Sequence, residues 1–364
     1  MPPEHKGCTS TVCKPKPQRK TDFGAYNPGG IAVDNGNIFS LPFTSGDASV
    51  VILPVPWEAT VSYKTGAAAG PEALRLASLQ VDLYDEDMGD IWQYGIYMPG
   101  HPADIYETGV HARVKAEKIL GALARGEDCA AFSALYGDIE EHFDSMYARI
   151  EAETLDFLQR GKIVGLAGGD HSVTLGSLRA YAHQFGSFGI LHIDAHADLR
   201  KAYEGFRYSH ASIMHNALAL PQVMRIVQVG VRDFCRDEAE AVSGSKDRIR
   251  LFSDRCLKKA QFSGKPWDAV CSEIVGSLPE FVYVSFDIDG LDPSLCPATG
   301  TPVPGGLSYA EAQFLLKKVT ESGRKIIGFD LVEVAGGEQG SSWDANVGAR
   351  LLYQLCGRAI ISCA

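Results

Sequence analysis

Gly189-Ile190-Leu191-His192-Ile193-Asp194-Ala195-His196-Ala197-Asp198 begins as a short apolar run and ends as a row of acids and imidazoles. The run 188–193 has strand length and is apolar on both parities, as a strand covered on both faces must be. Past its end, residues at i, i+2 and i+4 of an extended chain share a face, so Asp194, His196 and Asp198 point into one space. His192 shares that parity but sits about 6.6 Å back along the strand. It is read as core, or as support for a ligand, rather than as a ligand.

Outward from this stretch the same design recurs. A strand at 163–167 runs into Gly168-Gly169-Asp170-His171-Ser172 and then a helix at 172–184, which places His171 at a strand's carboxyl end. A strand at 281–286 runs into Asp287-Ile288-Asp289-Gly290-Leu291-Asp292-Pro293, with Asp287 and Asp289 on one face. Asp170 and Asp292 fit loop roles. Ligand sites of open α/β sheets lie at that edge. Further strands are expected at 50–53, closed by Pro54 and Pro56, and at 224–230, 249–252 and 325–331. Helices are expected at 72–83, 138–160, 268–277, 308–320 and 345–357. Short apolar strands alternating with helices indicate an α/β fold, three layers deep, around a mostly parallel sheet.

The composition agrees. Of 364 residues, 45% are hydrophobic and 22% charged, which excludes a disordered or fibrous chain. Lys plus Arg is 34 against 45 Asp plus Glu, a net of −11, so neither nucleic acid nor an anionic membrane is an expected partner. No apolar stretch reaches the roughly 18 residues of a membrane span, and the N-terminus lacks the apolar centre of a secretory signal. Nine cysteines without zinc-ribbon spacing read as reduced thiols in a cytoplasmic protein. Lys6, Lys14, Lys16, Arg19 and Lys20 among prolines make residues 1–25 a flexible basic tail. Residues 26–364 are then expected to form one domain.

Asp194, Asp198, Asp287 and Asp289 with His171 and His196 would together be prohibitive in one cavity without cations among them. Two divalent ions balance four carboxylates. Mixed carboxylate and imidazole ligation suits Mn²⁺ first, then Ni²⁺, Fe²⁺ or Co²⁺, ahead of structural Zn²⁺.

Gly168-Gly-Asp-His-Ser172, Asp194-Ala-His-Ala-Asp198, Ser285-Phe-Asp-Ile-Asp-Gly-Leu-Asp-Pro293 and Gly300-Thr-Pro-Val-Pro-Gly-Gly306 resemble the signatures of the ureohydrolase family, which includes arginases, agmatinases, guanidinobutyrases and formimidoylglutamases. The resemblance covers roughly residues 48–360. It implies a single arginase-like α/β domain, two metal ions (Mn²⁺ or Ni²⁺) and a homo-oligomer, trimer or hexamer. It makes His171, Asp194, His196, Asp198, Asp287 and Asp289 the metal ligands. His210 resembles the loop histidine that handles protons, and Glu333 the carboxylate that receives the guanidinium. Asp198, beside the metals, is a candidate proton acceptor. The implied reaction is hydrolysis of a guanidino C–N bond to urea plus an amine or ammonia, the cations lowering the pKa of water toward about 7.

Free guanidine and agmatine are the favoured substrates. The 198–210 segment is similar to agmatinase-like branches, and Glu204 would meet agmatine's distal ammonium. Arg207 would instead meet the carboxylate of guanidinobutyrate. Trp343 with Phe206, Tyr203 and Tyr208 would close over a small planar cation, and the Trp343 segment is similar to that of guanidine hydrolases, a nickel-using branch. Other readings are a guanidinobutyrase, a formimidoylglutamase, a one-metal deacetylase or a metal-binding pseudoenzyme.

Overall fold

The computed structural model describes residues 15–336 and 343–364. Among them the strands are β1 (Val50–Val55), β2 (Ile96–Tyr97), β3 (Ile163–Gly168), β4 (Phe188–Ile193), β5 (Val223–Val229), β6 (Ile249–Phe252), β7 (Phe281–Asp287) and β8 (Lys325–Val332). They form one sheet in the order β2-β1-β3-β8-β7-β4-β5-β6. Every neighbouring pair is parallel, so the sheet is wholly rather than mostly parallel.

Alternate side chains of each strand feed two cores. Val50 and Ile52 join one, Val51, Leu53 and Val55 the other. The first is covered by α1 (Gly70–Ala77), α7 (Asp254–Phe262), α8 (Trp267–Gly276), α9 (Tyr309–Glu321) and α10 (Trp343–Cys363), through residues such as Leu74, Leu257, Ile274, Leu315 and Leu351. The second lies under α2 (Ala103–Ala124), α3 (Ser133–Gln159), α4 (Thr174–Gln184) and α5 (Ile213–Ala217), through Ile105, Phe143, Leu178 and Ile213. A short α6 (Arg236–Gly244) precedes β6.

The strands expected at 188–193 and 249–252 match, and most others shift by a residue. β1, however, runs through Pro54 rather than stopping before it. β2 pairs only with Val50 and Val51, so at Pro54 one flank of β1 is an open edge where a missing N–H is tolerated. The helix expected to reach Leu83 ends at Ala77 and continues as a 3₁₀ turn over Ser78–Gln80. α10 extends to Cys363, beyond the expected 357.

The described part of the N-terminal stretch lies against the body. Lys20 N–H donates to Gln93 O at 2.8 Å, and the Phe23 ring sits 4.6 Å from that of Trp92.

Register aligns the carboxyl ends of the four central strands. Ile193 is level with Phe286, Phe286 with Leu331, and Leu331 with Ala167. The chain segments that leave β3, β4, β7 and β8 therefore emerge side by side.

Candidate metal centre

His171, Asp194, Asp198, Asp287 and Asp289 are all buried where those segments emerge, and His196 is largely buried. Two groups are joined through Asp194. His171 Nδ1 stands 3.1 Å from Asp194 Oδ2, 3.1 Å from Asp198 Oδ2 and 3.5 Å from Asp287 Oδ2. On the other side, His196 Nδ1 is 3.4 Å from Asp194 Oδ1 and 3.2 Å from Asp289 Oδ2. Each oxygen of Asp194 thus serves a different group, as a carboxylate shared between two cations would.

Local backbone holds these atoms in place. Asp287 Oδ1 accepts the Asp289 N–H at 2.9 Å, and Asp289 Oδ1 accepts the Ala195 N–H at 3.0 Å. Each carboxylate is left one oxygen toward the cluster. Gly290 lets the β4 and β7 exits touch, since a Cβ there would lie 2.8 Å from Asp194 N. Asp198 (φ 55°) and Glu333 (φ 59°) adopt the left-handed region that L-residues seldom enter, and such backbone strain gathers at functional sites.

The donor set fits divalent cations. His171 Nε2 is 2.8 Å from Ser285 Oγ, while its buried Nδ1 has no hydrogen-bond partner although three carboxylates surround it. The charges pull in the same sense. Against the cost of burial, the carboxylates raise His171 well above its ordinary pKa and His196 to about 12. Burial, and then the charge of Asp289 and Asp194, lifts Asp287 well above the carboxylate range. Burial, and then Asp194, brings Asp198 to about 6. A cluster that takes up protons on both imidazoles and carboxylates carries more negative charge than it can hold bare, and cations relieve that.

His192 lies within the cluster but has no lone pair to offer. Its Nε2 is 2.8 Å from Asp194 Oδ2, and its Nδ1 is 3.0 Å from Gln228 Nε2, which also donates to Ala197 O at 2.7 Å. Gln228 therefore donates to Nδ1, and His192 donates from Nε2 to hold Asp194, as a supporting histidine does.

Glu333 follows β8. Its Oε1 accepts the His171 N–H at 2.9 Å, and Gly300 leaves space beside Oε2, where a Cβ would come to 3.3 Å. Burial, and then the charge of Asp170, raises its pKa well above the ordinary carboxylate value. His210 lines a cavity of about 360 Å³ together with His196, Asp198, Arg200, Tyr203, Asp233 and Glu238. Burial, reinforced by His196 and His171, lowers its imidazole to about 4.

A model of the arginase family matches residues 48–357. The chain belongs to the arginase family. Among its relatives in that family, N(1)-aminopropylagmatine ureohydrolase of Thermus thermophilus is 34% identical over 311 residues, 85% of this chain and 90% of that protein. Agmatinase of Neisseria meningitidis is 33% identical over 319 residues, 86% of this chain and 88% of that protein. Of the solved structures, agmatine ureohydrolase of Thermoplasma volcanium superposes with a TM-score of 0.70 at 24% identity, covering 90% of this chain and 96% of its own. Arginase of Bacillus subtilis superposes at 0.62 and 22% identity, covering 85% and 99%. These two likenesses establish the arginase-like fold.

The rim departs from expectation. Of the aromatic residues expected to close over a small cation, only Tyr203 lines the cavity, its ring 5.7 Å from that of His210. Phe206 packs on Tyr136, and Tyr208 on Phe143 and Tyr147, as core. Trp343 is exposed and donates from Nε1 to Ser294 O at 3.0 Å. Arg207 is exposed, its guanidinium over the Tyr208 ring. Glu204 does not line the cavity; its Oε2 is buried and Arg113 is its charged neighbour. Asp233, Arg200 and Glu238 line the cavity and were not expected there. Asp233 lies four residues past β5, beside His196 in a short parallel bridge, so the strand-end rule applied to β5 points to it.

Proposed function

We propose that this chain hydrolyses an agmatine-type guanidino compound, releasing urea and an amine, with two divalent cations, Mn²⁺ or Ni²⁺, at the cluster. The observation that carries the reading is Asp194, whose two oxygens face two separate histidine–carboxylate groups beside the Glu333 carboxylate. The names of the relatives, agmatinase and aminopropylagmatine ureohydrolase, favour a guanidino group on a long amine. A 360 Å³ cavity whose expected aromatic cover is dispersed favours such a chain over free guanidine.

His171, Asp194, Asp198 and Asp287 would hold one ion, and His196, Asp194 and Asp289 the other. When bound, the pair supplies Lewis acidity that brings the pKa of water toward about 7. Glu333 accepts N–H groups of the guanidinium in charge-assisted hydrogen bonds and orients its carbon. Water adds to that carbon and loses a proton to Asp198. The C–N bond to the amine then breaks. His210, neutral near pH 7 because burial keeps its pKa near 4, lines the same cavity as Asp198, takes that proton from it and passes it to the departing amine, while the hydroxyl proton left on the carbon goes to the freed Asp198 as urea forms.

Cys235, Cys256, Cys271, Cys296, Cys356 and Cys363 are free, which supports a reducing, cytoplasmic setting. No helix among the described residues is long and apolar enough to cross a membrane. Tyr106, Val110 and Val114 form an exposed apolar stripe along α2, which supports a homo-oligomer, trimer or hexamer.

Urea release tests the substrate. Agmatine, N(1)-aminopropylagmatine, guanidinobutyrate, arginine and free guanidine are each supplied to protein loaded with Mn²⁺ or Ni²⁺. Agmatine or its aminopropyl derivative is expected to give the most urea. Urea from free guanidine alone would overturn the substrate assignment.

A further inference from the structure

Behind His171, β7 and β8 carry polar groups with no part in the reaction described above. Ser285 and Asp330 are register partners across that strand pair, and both are fully buried, as is His171. Asp330 Oδ1 accepts the Phe286 N–H at 3.1 Å and lies 3.0 Å from Ser285 Oγ, which in turn is 2.8 Å from His171 Nε2.

Counting protons along this chain gives its direction. Asp330 Oδ1 already accepts an amide N–H, so it is an acceptor. The single hydroxyl proton of Ser285 goes to it. The lone pair left on Ser285 Oγ must then receive a proton from His171, which places the imidazole hydrogen on Nε2. The Nδ1 lone pair is thereby turned toward Asp194 and Asp198, where a cation can use it.

We propose that Asp330, acting through Ser285, is a positioning residue that fixes His171 in its Nε2–H tautomer and so sets the affinity of the His171 cation site. The inference rests on the two-ion reading above. The site built on His196 and Asp289 shares Asp194 but makes no direct contact with this chain, so it depends on it less.

The test is titration of the metal-free full-length protein with Mn²⁺ against a competing chelator, with melting of each metal-free variant in parallel. Ser285→Ala is expected to weaken one of the two ions by about 10–100-fold, the usual cost of losing a supporting partner, and the other by much less. Asp330→Ala, which does not touch His171, is expected to weaken the same ion, and Ser285→Thr to restore it. Wild-type affinity for both ions in Ser285→Ala would overturn the proposal, as would equal weakening of both sites with a lowered metal-free melting point. Wild-type protein that takes up fewer than two ions would instead overturn the two-ion reading.

Discussion

The floor of the cavity and its rim are built differently. Every acid and imidazole of the floor, which the cavity reaches through His196 and Asp198, sits within a few residues of a strand end, and His171, Asp194, Asp287 and Asp289 are tied further to backbone or to buried partners such as His192 and Ser285. The rim comes from loops: Tyr203 and His210 from the segment after β4, Asp233 and Phe234 from that after β5, and Thr301 to Val303 from that after β7. Strand parity decides where a floor residue points. A rim residue points where its loop happens to pack. The acids and imidazoles of the cluster are therefore placed by the sheet, and the side chains of the rim by the loops.

The largest effect that would break this contrast is at the floor. Asp289→Ala should lose an ion and turnover together, with the affinity of that site falling by more than the roughly 100-fold that a supporting partner is worth. Metal analysis of the purified variant checks it, and full occupancy would remove Asp289 from the cluster.

His210 stands where floor and rim meet. His210→Asn should keep both ions while turnover falls by roughly 10²-fold or more. Unchanged turnover would take it out of the proton path.

A smaller effect should appear in stability. In metal-free protein His210 is held at about 4, below the ordinary histidine value. At this group the unfolded chain binds more protons than the folded one between the two pH values, so the contribution of His210 to stability falls as pH drops from about 6.5 toward 4, while buried carboxylates such as Asp198, held at about 6, act in the opposite sense. Denaturant melts of chelated wild type and His210→Asn isolate it, and the variant should gain stability relative to wild type as pH drops. A pH-independent difference between the two would remove His210 from this linkage.

The smallest effects belong to the outer rim. Arg207→Ala and Trp343→Ala should each change turnover on agmatine by no more than about twofold, the scale of a 0.5 kcal/mol surface effect. A tenfold rise in KM for either would bring that side chain back to the substrate.

The same division governs what the sequence reveals. His171, Asp194, His196, Asp198, Asp287 and Asp289 were legible because each follows a short apolar run whose parity and direction are fixed. The central strands were legible for the same reason. α2 was not, because it buries Gly109, Ala112, Ala116 and Ala122, residues too small to write an apolar period. The far end of α10 was missed because the helix is buried on nearly every side and has no polar face to mark where it stops. At the rim, Phe206 and Tyr208 read as a lid because sequence shows that they are aromatic and near His210, not that α3 supplies Phe143 and Tyr147 to receive Tyr208. The tethers, His192 through Gln228 and His171 through Ser285, join residues from separate strands, which only the sheet order brings together.

The most direct test counts ions against turnover. Metal-free protein is titrated with Mn²⁺, and urea release from agmatine is followed as a function of ions bound per chain. The account predicts that activity rises with the second ion and reaches its plateau at two per chain. Full activity at one ion, or with none, would contradict it.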